Sequence, residues 1–196
     1  NELVEKTGLT EMETAKWKEV QEKIYLPRKE GTKLLEQFEG YFELDNVTIE
    51  KYDENDWPIR PEALKTKKAK ETQINKQADV VMLLHLMGNE FDDETIKENY
   101  AYYEKRTLHG SSLSPSIYSV MGLKVGDDSK AYRYLRRAAF IDLLNMQGNT
   151  REGIHAANTG GVWQTIVFGF AGVSQREDGK LRVCPNMPEE WQNLTF

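Results

Sequence analysis

Cysteine and histidine are scarce in this sequence: one cysteine, Cys184, and three histidines occur among its 196 residues. A single cysteine excludes an internal disulfide framework and a cysteine-based zinc cluster. No two of the histidines have the spacing of metal ligands, so we expect no metal site. The most apolar stretch is short and is interrupted by Gln164 and by glycines, so it cannot span a bilayer, and we expect no membrane partner.

Basic residues are fewer than acidic ones: the sequence has 26 lysines and arginines and 32 aspartates and glutamates, which gives a net charge of −6. This balance gives a nucleic-acid partner no electrostatic support. Apolar and aromatic residues are too frequent for a disordered chain, and the length suffices for one sizeable core or for a large domain with a small one. The first residues, NELVEKTG, lack the basic and apolar regions of a signal peptide, and we expect a cytoplasmic protein.

The first part of the chain predicts one helix followed by irregular structure. Thr10 and Glu13 have the spacing of a capping box, which predicts a helix that continues to about Ile24. Between residues 31 and 52, apolar residues sit among acidic ones without a helical period, so we expect extended or irregular chain there. The lysines of residues 63–71 predict a solvated surface.

From Asn75 onward the pattern predicts helix after helix, and it changes to a period of two near Ser174. Asp178-Gly179 is typical of a hairpin turn, and Trp191–Phe196 has the alternation of a further strand. The expected helices cover residues 80–87, 92–106, 114–121 and 128–146, and the last lies within 151–173. The chain is therefore expected to be mainly α, with an array of helices that runs into the beginning of a β domain.

The last helical stretch, Arg151–Val173, has the sequence REGIHAANTGGVWQTIVFGFAGV. Its second half is apolar all round, which predicts burial on all sides. The polar run Asn158–Gly161 predicts a glycine-rich loop at the helix N-terminus, where unpaired N–H groups and the helix dipole suit an anion such as phosphate. The alternative is a core helix with a tight turn at its start and a hydrogen-bonded His155.

Three polar segments precede apolar helices, at residues 75–77, 107–116 and 152–161. In an array of antiparallel helices we expect such segments to gather around one opening. A lysine with a glutamine, a pair of serines, and a histidine with glycine amides would together suit a sugar and a phosphate. Structural alternatives exist for each: a surface position for the lysine, capping roles for the serines, and loop or core positions for His109 and His85.

Carboxylates are abundant, but almost all fall on helix faces that we expect to be solvated. None of them lies in an apolar setting that would clearly raise its pKa for acid catalysis. Glu152 is the least ordinary, because it adjoins the segment that carries His155.

The three segments resemble motifs of one known family. KQADVVMLLHLMG, TLHGSSLSPSIYSVMG and REGIHAANTGGVWQTIVFGFAGV are similar to the disaccharide phosphorylases of glycoside hydrolase family 65, and the maltose phosphorylase group is the most similar. The resemblance implies a mainly α fold. Residues 1–173 would form the later helices of an (α/α)6 barrel, and residues 174–196 would form the first strands of a small C-terminal β-sheet domain.

The resemblance also implies a reaction and the residues that serve it. Family members cleave an α-glucoside with inorganic phosphate as the co-substrate, without a cofactor, and invert the anomeric centre. Lys76 and Gln77 match the pair that binds the glucose of the substrate. The positions that match the phosphate-binding loops are Ser111, Ser112, His155, Thr159 and Gly160.

One part of the family's machinery has no counterpart in this sequence. The catalytic acid of the family is a glutamate upstream of the segment that residues 10–27 resemble, so we expect it outside this chain. We therefore expect a C-terminal fragment that is inactive alone, with the rest of the parent chain as its partner and a homodimer in the full-length protein. The expected reaction converts maltose and phosphate to β-glucose 1-phosphate and glucose. The alternatives are trehalose or kojibiose phosphorolysis, or a non-catalytic carbohydrate-binding or interaction module.

Overall fold

The computed structural model of the protein describes residues 6–55, 57–176 and 178–195. Within them the chain is mainly α-helical, as expected, and a small antiparallel sheet follows the helices. The α-helices are α1 (Glu11–Lys23), α2 (Asp79–Leu86), α3 (Asp93–Glu104), α4 (Ser114–Val125), α5 (Asp128–Phe140) and α6 (Ala156–Gln164), which continues into a π-helix (Thr165–Phe170). Strands β1 (Val173–Gln175) and β2 (Leu181–Val183) pair with Val173 opposite Val183. Short 3-10 turns occur at Tyr41–Glu43, Glu62–Lys65, Ala69–Glu71, Gly88–Glu90 and Thr150–Glu152.

Helix α1 begins at the predicted capping box. The Thr10 N–H donates to Glu13 Oε2 over 2.9 Å, and the Glu13 N–H donates to Thr10 Oγ1 over 3.2 Å. No residue of α1 is buried, and even Trp17 is exposed. Within the described residues this helix is therefore stabilised by its cap and by the Glu19–Lys23 ion pair, and hardly by packing.

The irregular chain between α1 and α2 is held by two buried side chains of α3. The Leu35 N–H donates to Asn99 Oδ1 over 2.8 Å, and Asn99 Nδ2 donates to the Lys33 carbonyl over 2.9 Å. The Tyr103 hydroxyl donates to the Leu35 carbonyl over 2.5 Å. Buried backbone groups need hydrogen-bond partners, and these side chains supply the hydrogen bonds that a regular strand or helix would otherwise provide. The expectation of irregular structure is confirmed.

Helix α4 lies at the centre of the helical array and packs against α2, α3, α5 and α6. Its buried side chains include Tyr118 and Met121, neither of which has any exposed surface. Gly122 allows α4 and α5 to approach closely, because a Cβ at this position would lie 3.1 Å from Ala131 Cβ. The core around α4 consists of Leu35, Tyr41, Ala78, Val80, Val81, Leu84, Ile96, Tyr100, Tyr103, Ile117, Tyr118 and Met121.

Two helical stretches differ from what their sequences predict. Helix α5 stops at Phe140 rather than at Met146, and residues 141–147 form turns with Asn145 at a φ of 48°. The apolar stretch after Gly161 is a helix, as predicted, but it is not buried on all sides. Trp163 is 57% exposed and Phe168 is 46% exposed.

The chain after β2 also differs from its prediction. Residues 191–195 form no strand, and Phe196 lies outside the described residues. Instead, the Trp191 ring packs on Phe170 with 5.2 Å between the ring centroids, and it meets Tyr132 edge to face at 6.2 Å. The hairpin turn predicted at Asp178-Gly179 does join β1 to β2. The domain boundary near Ser174 stays a prediction.

No helix in the described part of the chain combines the length and the apolar character that crossing a bilayer requires.

Candidate functional site

The segments that precede α2 and α4 lie side by side. The Asn75 N–H donates to the Arg106 carbonyl over 2.7 Å, and the Leu108 N–H donates back to the Asn75 carbonyl over 2.9 Å. One step further on, the Gly110 N–H donates to the Lys76 carbonyl over 2.9 Å. These backbone bonds bring the starts of α2 and α4 to the same end of the helical array, as the sequence predicts.

Gln77 and Ser111 line one small pocket of about 230 Å³ between the starts of these helices. Asp79, Met82 and Ser114 also belong to its wall. Gln77 Nε2 donates to Asp79 Oδ1 over 3.0 Å, which orients the amide. Such a pocket is smaller than most ligand sites and would take a group of the size of a phosphate or part of a sugar ring.

The second turn of α6 and the residue that follows the helix pack on the first turn of α4. A Cβ on Gly161 would lie only 2.5 Å from Ser116 Oγ, and the Thr165 hydroxyl donates to the Ser116 carbonyl over 3.2 Å. This contact requires glycine at position 161. The third predicted segment therefore converges with the other two.

The predicted glycine-rich loop is wrong in one respect. Helix α6 begins at Ala156, so Asn158–Gly161 form part of its first and second turns. The Thr159 N–H already donates to the His155 carbonyl over 3.2 Å. Gly161 is needed for close packing on α4, whereas Gly160 has open space where its Cβ would be. The glycine amides lie beyond the unpaired N–H groups of the first turn, so Gly160 offers room for a ligand rather than a free donor.

His155 stands directly before α6 and is oriented by Asp142. Its Nδ1 lies 2.6 Å from Asp142 Oδ1, and its backbone N–H donates to Asp142 Oδ2 over 2.8 Å. These two hydrogen bonds from His155 lower the pKa of the Asp142 carboxyl. On the other ring nitrogen, Asn149 Nδ2 lies 3.5 Å from Nε2. Glu152, which adjoins this segment in sequence, is exposed.

His109 is a buried residue of the site that sequence reasoning placed in an ordinary loop. Only 1% of it is exposed, and its φ of 51° is unusual for a residue other than glycine. Its Nδ1 lies 2.8 Å from Ser114 Oγ, and its Nε2 lies 3.1 Å from the Tyr134 hydroxyl. Burial, together with the positive charge of Arg137, lowers the pKa of His109 to about 3. The imidazole is therefore neutral.

The hydrogen bonds beyond His109 determine its tautomer. The Tyr134 hydroxyl donates to Glu104 Oε1 over 3.1 Å, and Glu104 also pairs with Lys130 over 2.9 Å. A hydroxyl that donates to Glu104 must accept from His109, so Nε2 carries the hydrogen and Nδ1 accepts from Ser114. Glu104 is 3% exposed, whereas the sequence predicts a solvated carboxylate at this position.

The remaining predicted residues are open to solvent in varying degrees. Lys76 and Thr159 are exposed, as is Gly160, whereas Ser111 and Ser112 are half-buried. The site therefore offers hydroxyl, ammonium and imidazole donors around the ends of α2, α4 and α6, a combination that binds anions and sugar hydroxyl groups. Among the described residues, no three His, Cys, Asp or Glu side chains are placed so that they could hold a metal ion.

Comparison with known proteins agrees with this geometry. Residues 1–164 match the glycosyl hydrolase family 65 central catalytic domain. A kojibiose phosphorylase of Thermoanaerobacter brockii is 53% identical over 191 residues, which are 97% of this chain and 25% of that protein. An alpha,alpha-trehalose phosphorylase of Geobacillus stearothermophilus is 36% identical over 198 residues, which cover 99% of this chain and 25% of that protein.

A solved structure has the same fold. It is described as a putative kojibiose phosphorylase from the human microbiome, and it superposes with a TM-score of 0.78 at 33% identity, over 97% of this chain and 25% of its own. The chain thus spans about a quarter of the length of the curated relatives it matches. The family resemblance inferred from the three motifs is confirmed: this chain belongs to glycosyl hydrolase family 65.

Proposed function

We propose that the chain is the phosphate- and glucose-binding part of an inverting α-glucoside phosphorylase. The observation that carries the proposal is the convergence of three segments, in which Gly110 bonds to Lys76 and Gly161 packs on Ser116. Family membership supplies the reaction class, because the relatives described above are named as disaccharide phosphorylases.

The roles of the residues follow from their positions. Gln77 lines the small pocket and, with the neighbouring Lys76, is placed to bind the hydroxyl groups of the glucose that is cleaved. Ser111 and Ser112, just before α4, would donate to phosphate oxygens, and the positive end of the α4 dipole would add to the attraction. His155 would approach the phosphate from the start of α6, where Thr159 adds a hydroxyl and Gly160 adds space.

The reaction requires one protein acid and no base. An oxygen of inorganic phosphate attacks the anomeric carbon from the face opposite the glycosidic oxygen, and the bond to that oxygen breaks as the acid delivers its proton to the leaving sugar. The products are β-glucose 1-phosphate and a sugar. We place the general acid outside these residues, in the larger part of the protein that the relatives possess. The homodimer stays a prediction.

For the substrate we propose kojibiose rather than maltose. The motifs led to maltose as the first expectation, but the Thermoanaerobacter brockii relative at 53% identity is a kojibiose phosphorylase. The trehalose phosphorylase described above is 36% identical, which makes trehalose the second candidate. Neither of these proteins is named for maltose.

Phosphorus NMR of the protein in its full encoded length tests the proposal. The protein is incubated with inorganic phosphate and, in separate samples, with kojibiose, trehalose or maltose. We expect a new signal of β-glucose 1-phosphate with kojibiose, and a slower or absent reaction with the other two. The α anomer as the product would contradict inversion. No product from any of the three would favour the non-catalytic module.

A further inference from the structure

A second and larger cavity has Tyr134 in its wall, whose hydroxyl is hydrogen-bonded to His109. It measures about 820 Å³ and lies between residues 48–55, Trp57 and helices α3 and α5. None of its lining residues belongs to the small pocket of Gln77 and Ser111. Its basic residues are Lys105, Arg106, Lys130, Arg133 and Arg137, and its carboxylates are Glu50, Glu98 and Glu104. We call it the arginine pocket. Its lining has an excess of positive charge in a chain whose net charge is −6.

Arg106 is a buried cation of this pocket that has only neutral partners. It is 6% exposed, and its guanidinium lies 3.6 Å from the centre of the Tyr102 ring. Its Nε and Nη2 donate to Asn46 Oδ1, and its Nη1 donates to the Tyr102 carbonyl over 2.7 Å. No carboxylate among the described residues lies within ion-pair distance. A buried charge without a counter-charge is costly, so an anion in the pocket would be stabilising.

Arg137, on α5, is a second guanidinium of the lining that stacks on an aromatic ring. Its guanidinium lies 3.3 Å from the centre of the Trp57 ring. Its Nε is buried and has no hydrogen-bond acceptor among the described residues. Stacking on an aromatic face fixes the plane of a guanidinium and leaves its edge for a ligand. The pocket therefore has two oriented guanidinium groups that no carboxylate of the described residues approaches to ion-pair distance, although Asp53 interacts electrostatically with Arg137 over a longer distance.

The rest of the lining indicates what else the ligand carries. Arginine recognises phosphate and carboxylate oxygens, and phosphate matches its planar fork in two parallel hydrogen bonds. Glu50 is exposed and Glu98 is half-buried; their carboxylates can accept hydrogen bonds from hydroxyl groups. Glu104 is already occupied by Lys130. Aromatic rings of Tyr52 and Trp57 add apolar faces against which a ring can lie. The volume falls within the range of small-molecule sites, which is about 300–1,000 Å³.

We propose that the arginine pocket binds a phosphorylated monosaccharide, with its phosphate on a guanidinium of Arg106 or Arg137 and its hydroxyl groups toward Glu50 and Glu98. This site is additional to the proposed reaction site and does not depend on it.

Isothermal titration calorimetry of the full-length protein with glucose 6-phosphate tests this proposal. This probe is not a product of the proposed reaction. We expect it to bind. Because inorganic phosphate and glucose also bind the proposed reaction site, their affinity for the arginine pocket is measured by competition: each should displace bound glucose 6-phosphate at least about tenfold more weakly than unlabelled glucose 6-phosphate does, since each offers only half of the contacts. Absence of glucose 6-phosphate binding, or equally strong displacement of the probe by inorganic phosphate, would overturn the proposal.

Arg137→Gln and its neighbour Arg136→Gln form a matched pair of variants. Arg136 lies on the same helix but is exposed and does not line the pocket. We expect Arg137→Gln to weaken glucose 6-phosphate binding about tenfold or more, as loss of charged hydrogen bonds does, and Arg136→Gln to leave it unchanged. If Arg137→Gln does not fold, Arg137→Lys retains the charge without the planar fork and should still weaken binding.

Variants at the reaction site separate this site from the proposed function. Ser111→Ala combined with Ser112→Ala should leave glucose 6-phosphate binding intact. Loss of binding in that variant, with no effect of Arg137→Gln, would place the probe at the reaction site and overturn the proposal. A wild-type protein that binds the probe at the arginine pocket but performs no phosphorolysis would contradict the proposed function alone.

Discussion

The Nδ1 atom of His109 lies 2.8 Å from Ser114 Oγ, and this hydrogen bond ties the first residue of α4 to a buried chain of polar groups. The chain continues through Tyr134 to Glu104 and Lys130. Ser114 belongs to the wall of the small pocket, so this hydrogen-bond network fixes the orientation of a hydroxyl at the proposed reaction site. A neutral His109 is required, because an imidazolium could not accept from Ser114.

The depressed pKa of His109 predicts a pH dependence of stability. The folded-state pKa is about 3, below the ordinary value of 6.5, so the unfolded chain binds more protons between these values. The stabilisation is therefore complete above pH 6.5 and is lost as the pH falls toward 3. The expected slope is about 1.4 kcal/mol per pH unit within this window.

Urea unfolding of the wild type and of His109→Gln at pH 7 and pH 5 measures this effect. The difference in unfolding free energy between the two proteins should shrink by about 2 kcal/mol at pH 5, because only the wild type has to keep this histidine neutral. His85 is shared by both proteins, so its lowered pKa cancels in the comparison. A difference that is the same at both pH values would show that His109 is not held neutral by the fold.

The two glycines of α6 should respond in opposite directions to alanine. At Gly161 a Cβ would lie 2.5 Å from Ser116 Oγ and 3.0 Å from Ser116 Cβ, so Gly161→Ala must push the helices apart or break the bond from Ser116 to the Leu113 carbonyl. We expect a loss of about 1–3 kcal/mol. At Gly160 the space is open, and alanine should stabilise the helix by about 0.5–1 kcal/mol. Thermal unfolding of both variants measures the difference. Equal effects would contradict the close contact of α6 with α4.

Substitutions at His155 and Asp142 should weaken the binding of phosphate more than the binding of the disaccharide. His155→Ala removes the ring itself, and we expect phosphorolysis to fall by several tens-fold. Asp142→Asn keeps the ring but removes its charged acceptor, so we expect KM for phosphate to rise about tenfold with KM for the disaccharide unchanged. Glu152→Gln is the control, because this carboxylate is exposed in the same segment. Steady-state kinetics with each substrate varied in turn measures the split. An equal rise in both KM values would mean that Asp142 supports the fold in general.

Local signals in the sequence were sufficient for much of the fold. The capping box joins Thr10 and Glu13, which are neighbours within one helical turn, and the turn residues Asp178 and Gly179 connect two strands that are adjacent in sequence. The apolar runs of α2 and α4 likewise identify buried helices from their own residues. The convergence of Lys76 with Gly110 was also predictable. In an array of antiparallel helices, alternate helices such as α2 and α4 run in the same direction, so their N-terminal segments lie at the same end.

Features that depend on distant residues were not predictable. His109 is buried because Trp57, Tyr118 and Tyr134 surround it, and nothing near it in the sequence shows this. The glycines of α6 looked like loop residues because glycine is common in loops, whereas Gly161 serves a contact with α4. The exposed Trp163 was expected to be buried because a helix that is apolar all round normally has neighbours on every side. The motifs likewise did not identify the substrate that we propose, because they indicated maltose, whereas the relative at 53% identity is a kojibiose phosphorylase.

The most direct test of the central claim concerns the phosphate site at the starts of these helices. Ser111→Ala combined with Ser112→Ala removes two hydroxyl donors from the segment before α4, and Ser129→Ala on the exposed surface of α5 is the control. Phosphorolysis rates of the full-length protein are measured against phosphate concentration at saturating kojibiose. We predict that KM for phosphate rises at least about tenfold in the double variant, as the loss of charge-assisted hydrogen bonds requires, and does not change in the control. An unchanged KM for phosphate in the double variant would contradict the assignment of this site.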